Sequence, residues 1–367
     1  MGLDTQQGSE IKDWPKVAII ILNWNGWKDT IECLESLQRL TYPNYQIIVV
    51  DNGSTDGSIE KIKAWAQGGL KVESKFFQYD PSKKPVKWIE YDKATAEEGG
   101  IPYKEKFLDL TPSLQKMVII RNQENLGFAA GNNVAIRYAL RKDMDFLLLL
   151  NNDTVVASDS LNKLIIETQK RNNVAVSTGK IYYYDNPNLL WYAGGRLSNF
   201  KIYVHIGYNK LNQNNYNKTR YVTFASGCYM LINVNLLGEK CYLPENYFLG
   251  TEDCYFCWMV NNVGYNILYV AESVIWHKVS RSRPNLKLEH IYYNHASRLL
   301  FFRSTLPKSW GWLWIAFISV YGLIISPVKF KFKNQTNLKL SSVFMAMLKG
   351  TYDGLTKKSV SWSDMLK

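Results

Sequence analysis

The chain has 367 residues, 46% of them hydrophobic and 21% charged, with a formal net charge of +12. That mix excludes a disordered chain, and the length suffices for one large or two modest domains around a packed core. The positive balance favours an anionic partner, but there is no basic run of five and no nucleic-acid motif, which leaves a membrane surface or a phosphorylated substrate and excludes nucleic acid.

Met1 to Pro15 is a polar extension without a signal-peptide apolar core, so the chain is expected on the cytosolic side. Val17–Leu22 is a continuous apolar run, as in a strand buried on both faces of a parallel sheet. Asp29 or Thr30 is placed to cap the next helix, in which Ile31, Leu34 and Leu37 share a face. Gln46–Val50 is a second buried strand, and its carboxyl end delivers Asp51. The β-α-β order points to an open sheet that binds ligands at the carboxyl ends of its strands.

Residues 68–115 break this rhythm with Lys, Tyr, Pro and Gly, and read as an insertion of loops with a hairpin. Met117–Ile120 resumes the sheet, followed by the glycine-rich loop Asn125–Asn133 and a helix through Leu140. Phe146–Leu150 is a strand ending in Asn151-Asn152-Asp153. Further strands are expected at Val174–Ser177, Val222–Ala225, Met230–Ile232, Ile267–Val270 and Val274–Trp276, with a helix opening at Leu249 to Asp253. The five cysteines are irregularly spaced, against a disulfide framework; Cys254 and Cys257 have C-x-x-C spacing, but without a second pair they read as buried packing.

Three clusters carry chemistry. Asp51 can accept a hydrogen bond from a pyrimidine N3–H; the alternative is a helix cap or turn residue, a role that Asp56 is expected to fill instead. Asp153, thrust out by a leucine-rich strand, can bind Mg2+ or Mn2+ through hard oxygen while substrate phosphates complete the shell. His277 ends another strand and is either an added ligand or structural, with Lys278, Arg281 and Arg283 behind it to pair with phosphate. Glu252 and Asp253 open a helix, where the dipole favours the ionised form that a general base needs; simple charge complementarity to the helix is the alternative.

In this order and spacing the motifs Asn23-Trp24-Asn25-Gly26, Val50 to Gly57, Asn125-Leu126-Gly127-Phe128, Asn132-Asn133, Asn151 to Thr154, Ser226-Gly227-Cys228, Phe248 to Asp253, Gly264-Tyr265 and Val274 to His277 resemble the family-2 glycosyltransferases of the GT-A fold, and particularly their rhamnosyltransferase-like branch. The resemblance implies an α/β, Rossmann-like, mostly parallel sheet flanked by helices over residues 16–285, with a helical, membrane-associated region over 286–367. It implies an inverting transfer from a dTDP- or UDP-sugar to a hydroxyl of a lipid-linked glycan acceptor. Asp253 would be the base, and Asn23, Asp51, Asn125, Gly127, Asn151 and Asn152 would form the donor side. Asp153 and His277 would hold a divalent metal, and Glu252, Arg281 and Arg283 would face acceptor or phosphate. The chain departs from the family where the metal motif begins with Asn, where Tyr255-Phe256 and Met259 follow Asp253, and where Ala296-Ser297 replaces the tail's usual Arg-Asn. It also lacks a Q-x-x-R-W motif, against a processive synthase.

Residues 309–326 hold no charge, include Trp310, Trp312 and Trp314, and are followed by Lys329, Lys331 and Lys333. Their length sits at the lower edge of a bilayer span. An interfacial or re-entrant helix at the cytosolic membrane face is expected, with a full span and a buried core helix as alternatives. Two other functions compete. A nucleotidyltransferase would want a glycine-rich loop with a basic residue after the first strand, which Asn23 to Gly26 does not supply. A catalytically inactive, membrane-associated sugar-binding protein would have lost Asp253.

Overall fold

The structure, a computed structural model, describes residues 14–199, 201–247, 250–279, 288–324 and 339–359. The first half alternates strand and helix. It runs β1 (Val17–Asn23), α1 (Trp27–Leu37), β2 (Tyr45–Asn52), α2 (Ser58–Ala66), β3 (Lys87–Asp92), α3 (Lys93–Glu97), α4 (Pro102–Asp109), β4 (Lys116–Asn122), α5 (Gly127–Leu140) and β5 (Phe146–Asn151). The next part is richer in strands: β6 (Thr154–Val156), α6 (Ser160–Gln169), β7 (Val174–Tyr183), β8 (Leu189–Tyr192), β9 (Gly195–Ser198), β10 (Ile202–His205), β11 (Lys210–Leu211), β12 (Arg220–Val222) and β13 (Tyr229–Asn233). The short α7 (Val234–Leu237), α8 (Glu252–Asn262) and β14 (Asn266–His277) follow, and then α9 (Leu288–Thr305), α10 (Gly311–Ile324) and α11 (Leu340–Thr356).

The main sheet has the order β11-β8-β7-β13-β5-β1-β2-β4-β3, with β14 pairing β7, β6 and β12. The strands β5, β1, β2, β4 and β3 run parallel, while β13 is antiparallel to β5 and β7. The fold is therefore mixed α/β with a parallel-rich centre. β1 and β2 are buried on both faces, which is why their sequences read as unbroken apolar runs.

Four local expectations are corrected. The inserted stretch 68–115 holds no hairpin; it supplies β3, a parallel edge strand, and two helices. A buried ion pair ties it to the rest: Lys84 Nζ lies 2.9 Å from the fully buried Glu35 carboxylate of α1, which also accepts from Trp65 Nε1 at 2.9 Å. A single apolar run was too little to announce β3, because an edge strand buries only alternate side chains. α1 is capped by neither Asp29 nor Thr30; Gly26 precedes its first residue, Trp27, without a side-chain cap. Ile267–Val270 and Val274–Trp276 are one strand, β14, with a register shift between them. Of Val222–Ala225 only Val222 is in a strand, since Ala225 turns to exchange hydrogen bonds with the Cys257 thiol.

The tail helices form a packed unit. α11 crosses α9 at two small residues: a Cβ on Gly354 would lie 2.7 Å from the Ala296 carbonyl oxygen, and one on Gly350 would lie 3.0 Å from that of Tyr292. An arginine at position 296 would not fit this crossing. His295 Nε2 and Thr351 Oγ1 are 2.9 Å apart, and Tyr292 donates to the buried Asp353. Asn294 Oδ1 of α9 would lie 3.4 Å from a Cβ on Gly250, two residues ahead of α8, so the tail packs behind the Glu252-Asp253 corner.

Candidate active site

The carboxyl ends of β1, β2, β5 and β14 form one edge, where register places Asn23 beside Asp51, Leu22 beside Asn151 and His277 beside Thr154. Asn23 is fully buried and its carboxamide is used internally. Its Nδ2 donates to Asp51 Oδ1 at 2.8 Å and Ser54 Oγ at 3.1 Å, and its Oδ1 accepts from Thr30 Oγ1 at 2.7 Å. The Ser54 amide donates to the other Asp51 oxygen at 3.1 Å. The Asp51 carboxylate is thus held in one orientation, and each oxygen keeps acceptor capacity for a ligand. Asp56 accepts from the Ser58 amide at 3.0 Å, as a turn residue does.

The next loop closes against β2. Asn125 Oδ1 accepts from Asn52 Nδ2 and from the Gly127 amide, each at 2.9 Å, so Asn125 and Gly127 shape the loop opening α5. Gly53 makes this closure possible: it has φ +75°, and a Cβ there would meet the Glu124 carbonyl carbon at 2.7 Å.

The triplet at the end of β5 fans out. Asn151 is half-buried at the strand end, and Asn152 turns back to donate to Thr30 Oγ1 at 3.0 Å. Asp153 points the other way, with Oδ1 3.1 Å from His277 Nε2. Burial opposes ionisation of Asp153, but the His277 charge outweighs it and holds the carboxyl below its usual range. Burial likewise opposes protonation of His277, and Cys228 and Asp153 outweigh it, raising the imidazole well above its usual value. Burial raises the Cys228 thiol and so keeps it protonated, which leaves Asp153 as the charged partner at neutral pH. Trp191 stands edge-on to His277, ring centroids 4.8 Å apart.

Among the described residues no group of three or more His, Cys, Asp or Glu is arranged to hold a metal. The Asp153–His277 pair would fit a cation that substrate phosphates help to hold once the proton between them is displaced, because a metal binds the neutral imidazole. Two ligands on one divalent ion lie about 3 Å apart, and one or two protein ligands suffice when phosphates and water complete the shell. His277 Nδ1 is buried, and the Cys228 thiol is the side chain besides Asp153 that acts on the ring.

Glu252 and Asp253 are the first two residues of α8. The Gly227 amide donates to Asp253 Oδ2 at 3.1 Å, and Glu252 Oε2 accepts from the Thr251 amide at 2.9 Å. Burial raises the Asp253 carboxyl, while the Gly227 amide pulls it back. Burial, and then the Asp253 charge, push Glu252 up to about 7. Ser226-Gly227-Cys228 joins the two halves of the site: Gly227 binds Asp253, and the next residue's carbonyl accepts from the Asn151 amide at 3.0 Å. Space there is tight, since a Cβ on Gly227 would lie 3.1 Å from the Phe128 ring.

Arg281, Arg283 and Phe248-Leu249 lie outside the described residues. Lys278, expected to face phosphate, is instead paired with Asp29 and Glu32 of α1. Reading the sequence missed these two carboxylates and Trp191; the i, i+3 spacing of Asp29 and Glu32 on one helix face was the available signal. Cys254 and Cys257 are buried, as expected of packing residues.

The profile of the family described as Glycosyl transferase family 2 matches residues 18–80 and 104–239, more than half of the chain. The unmatched gap contains β3. No curated protein matches. Solved structures similar to this chain include "Mannosyltransferase PcManGT from Pyrobaculum calidifontis in complex with GDP-Man and Mn2+", with 14% identity over 97% of this chain and 79% of that one and a TM-score of 0.49. Another is S. aureus TarS 1-349, with 14% identity over 93% of this chain and 81% of that one and a TM-score of 0.49. The same TarS segment in complex with UDP matches at 13% identity, over 93% of this chain and 81% of that one, also with a TM-score of 0.49. On the match of its sequence to the family profile, the chain belongs to glycosyl transferase family 2 and is a glycosyltransferase.

Proposed function

We propose that this glycosyltransferase moves a sugar from a nucleotide-diphosphate donor, a dTDP- or UDP-sugar, to a hydroxyl of a lipid-linked glycan by a single inverting displacement. The observation that carries this reading is the Ser226-Gly227-Cys228 bridge, which sets a buried carboxylate beside the strand end bearing the Asp153–His277 pair. The order of motifs along the chain supports placing it in the rhamnosyltransferase-like branch.

In this reading Asp51, oriented by Asn23 and Ser54, accepts from the N3–H of the pyrimidine. Asp153 and His277 hold the divalent metal, Mg2+ or Mn2+, which when bound supplies Lewis-acid neutralisation of the departing diphosphate. Asp253 takes the proton of the attacking hydroxyl, its carboxylate kept on target by the Gly227 amide. Glu252 shares the buried corner, so the two carboxyls titrate as a pair.

The tail supplies the route to a lipid-linked acceptor. Trp312 is 62% exposed on α10, and Leu313 and Phe317 are each 55% exposed; Met345 and Tyr352 extend an apolar surface along α11. Among the described residues no helix is long and apolar enough to cross a membrane. We assign the pair of helices to the cytosolic membrane face, where indoles favour the headgroup region and each nearby basic residue adds about 1 kcal/mol.

Three outcomes are expected. Asp253→Asn should lower transfer on the order of 10²–10⁴-fold, with donor binding spared, in an assay of nucleotide release; near wild-type turnover would remove Asp253 from the role of base. The base must be ionised and burial raises its carboxyl, so kcat/KM should fall as pH drops, along a limb that lies above the range of an ordinary aspartate. Glu252→Gln removes one of the two charges and should move that acid limb to lower pH; an unchanged limb would show that the pair is not what titrates. Finally, Trp312→Gln with Phe317→Gln should shift the enzyme from vesicles of acidic lipid to the supernatant in co-sedimentation, and unaltered sedimentation would place the membrane contact elsewhere.

A further inference from the structure

Lys278 follows His277 directly, yet its side chain is only 5% exposed and is paired with two carboxylates of α1, Asp29 and Glu32. Glu32 also accepts from the Tyr184 hydroxyl at 2.7 Å, and the Lys278 ammonium lies 5.1 Å from the centre of the Tyr184 ring. At the backbone, the Lys278 amide donates to the Asp153 carbonyl at 3.0 Å. One residue thus ties α1 to the turn carrying Asp153 and to the last residue of β14. Those last two are otherwise joined by the three-pair ladder of β6 with β14. An ammonium has three protons to donate, and two carboxylates with an aromatic face leave little of this one for a phosphate.

We propose that Lys278, clamped by Asp29 and Glu32, is a positioning residue that sets His277 Nε2 against Asp153 Oδ1 and does not itself contact the diphosphate. The proposal rests on the reading of Asp153 and His277 as metal-holding residues. Removing the clamp frees the β14 end to rotate His277 away from Asp153, whereas a phosphate-binding lysine released from its carboxylates would bind phosphate better. The two roles therefore predict opposite effects of the same substitution.

The test is Mn2+ binding in the presence of UDP, followed by the electron paramagnetic resonance of free Mn2+, with folding checked by near-ultraviolet circular dichroism. Asp29→Asn with Glu32→Gln, which leaves Lys278 in place, should weaken Mn2+ binding by roughly tenfold or more, as loss of groups that orient metal ligands does. Lys278→Arg keeps the cation and both partners and should stay within about threefold of wild type. Wild-type or tighter binding by the doubly neutralised variant would overturn the proposal. If that variant does not fold, Glu32→Gln alone decides, because it removes the more buried of the two partners and the one that Tyr184 also holds; weaker Mn2+ binding is expected, and unchanged binding overturns the proposal. A wild-type protein that binds no Mn2+ would remove the metal reading and this proposal together, a result distinct from equal binding by all variants.

Discussion

Everything in the site hangs on how the chain runs into β13. Ser226-Gly227-Cys228 passes between the end of β5 and the start of α8, and consecutive backbone groups bind each side: the Gly227 amide holds Asp253 and the Cys228 carbonyl holds Asn151. A side chain at Gly227 would press on Phe128, at the start of α5. α5 in turn is fixed to β2 by the Asn52–Asn125 pair. The carboxylate proposed as base is thereby referenced to the same strand edge as Asp51 and Asp153, through the backbone of residues 226–228 and the Asn52–Asn125 side-chain pair.

Burial gives this arrangement its chemistry. Asp153 is buried and Asp253 partly buried, and their carboxyls are shifted in opposite directions. Asp153 meets His277 and its carboxyl is held low, so it stays ionised and able to bind a cation. Burial raises the Asp253 carboxyl, and the Gly227 amide pulls it back. Two aspartates at the site are thus set apart by the imidazole that offsets burial at Asp153 and has no counterpart at Asp253.

Much of this was legible in the sequence, for physical reasons. β1, β2 and β5 lie in the sheet's interior, so their apolar runs were unbroken and their last residues pointed to Asn23, Asp51 and Asn151. β3 was not legible, because an edge strand buries only part of its surface and its pattern is diluted by Lys87, Glu90 and Asp92. The role of Lys278 was also hidden, since a lysine beside a histidine reads as a phosphate ligand until Asp29 and Glu32 are folded against it from far away in the chain. Asn152 and Asp153 are neighbours in sequence but face opposite ways, which no spacing argument could have separated.

A single displacement governed by one base on the acceptor side fixes the stereochemistry of the product. The most direct test is therefore the anomeric configuration of the transferred sugar, read from the one-bond carbon–proton coupling of its anomeric centre. The proposed single displacement with Asp253 as base predicts a configuration opposite to that of the donor. Retention of the donor's configuration would require a second nucleophile and would contradict the account.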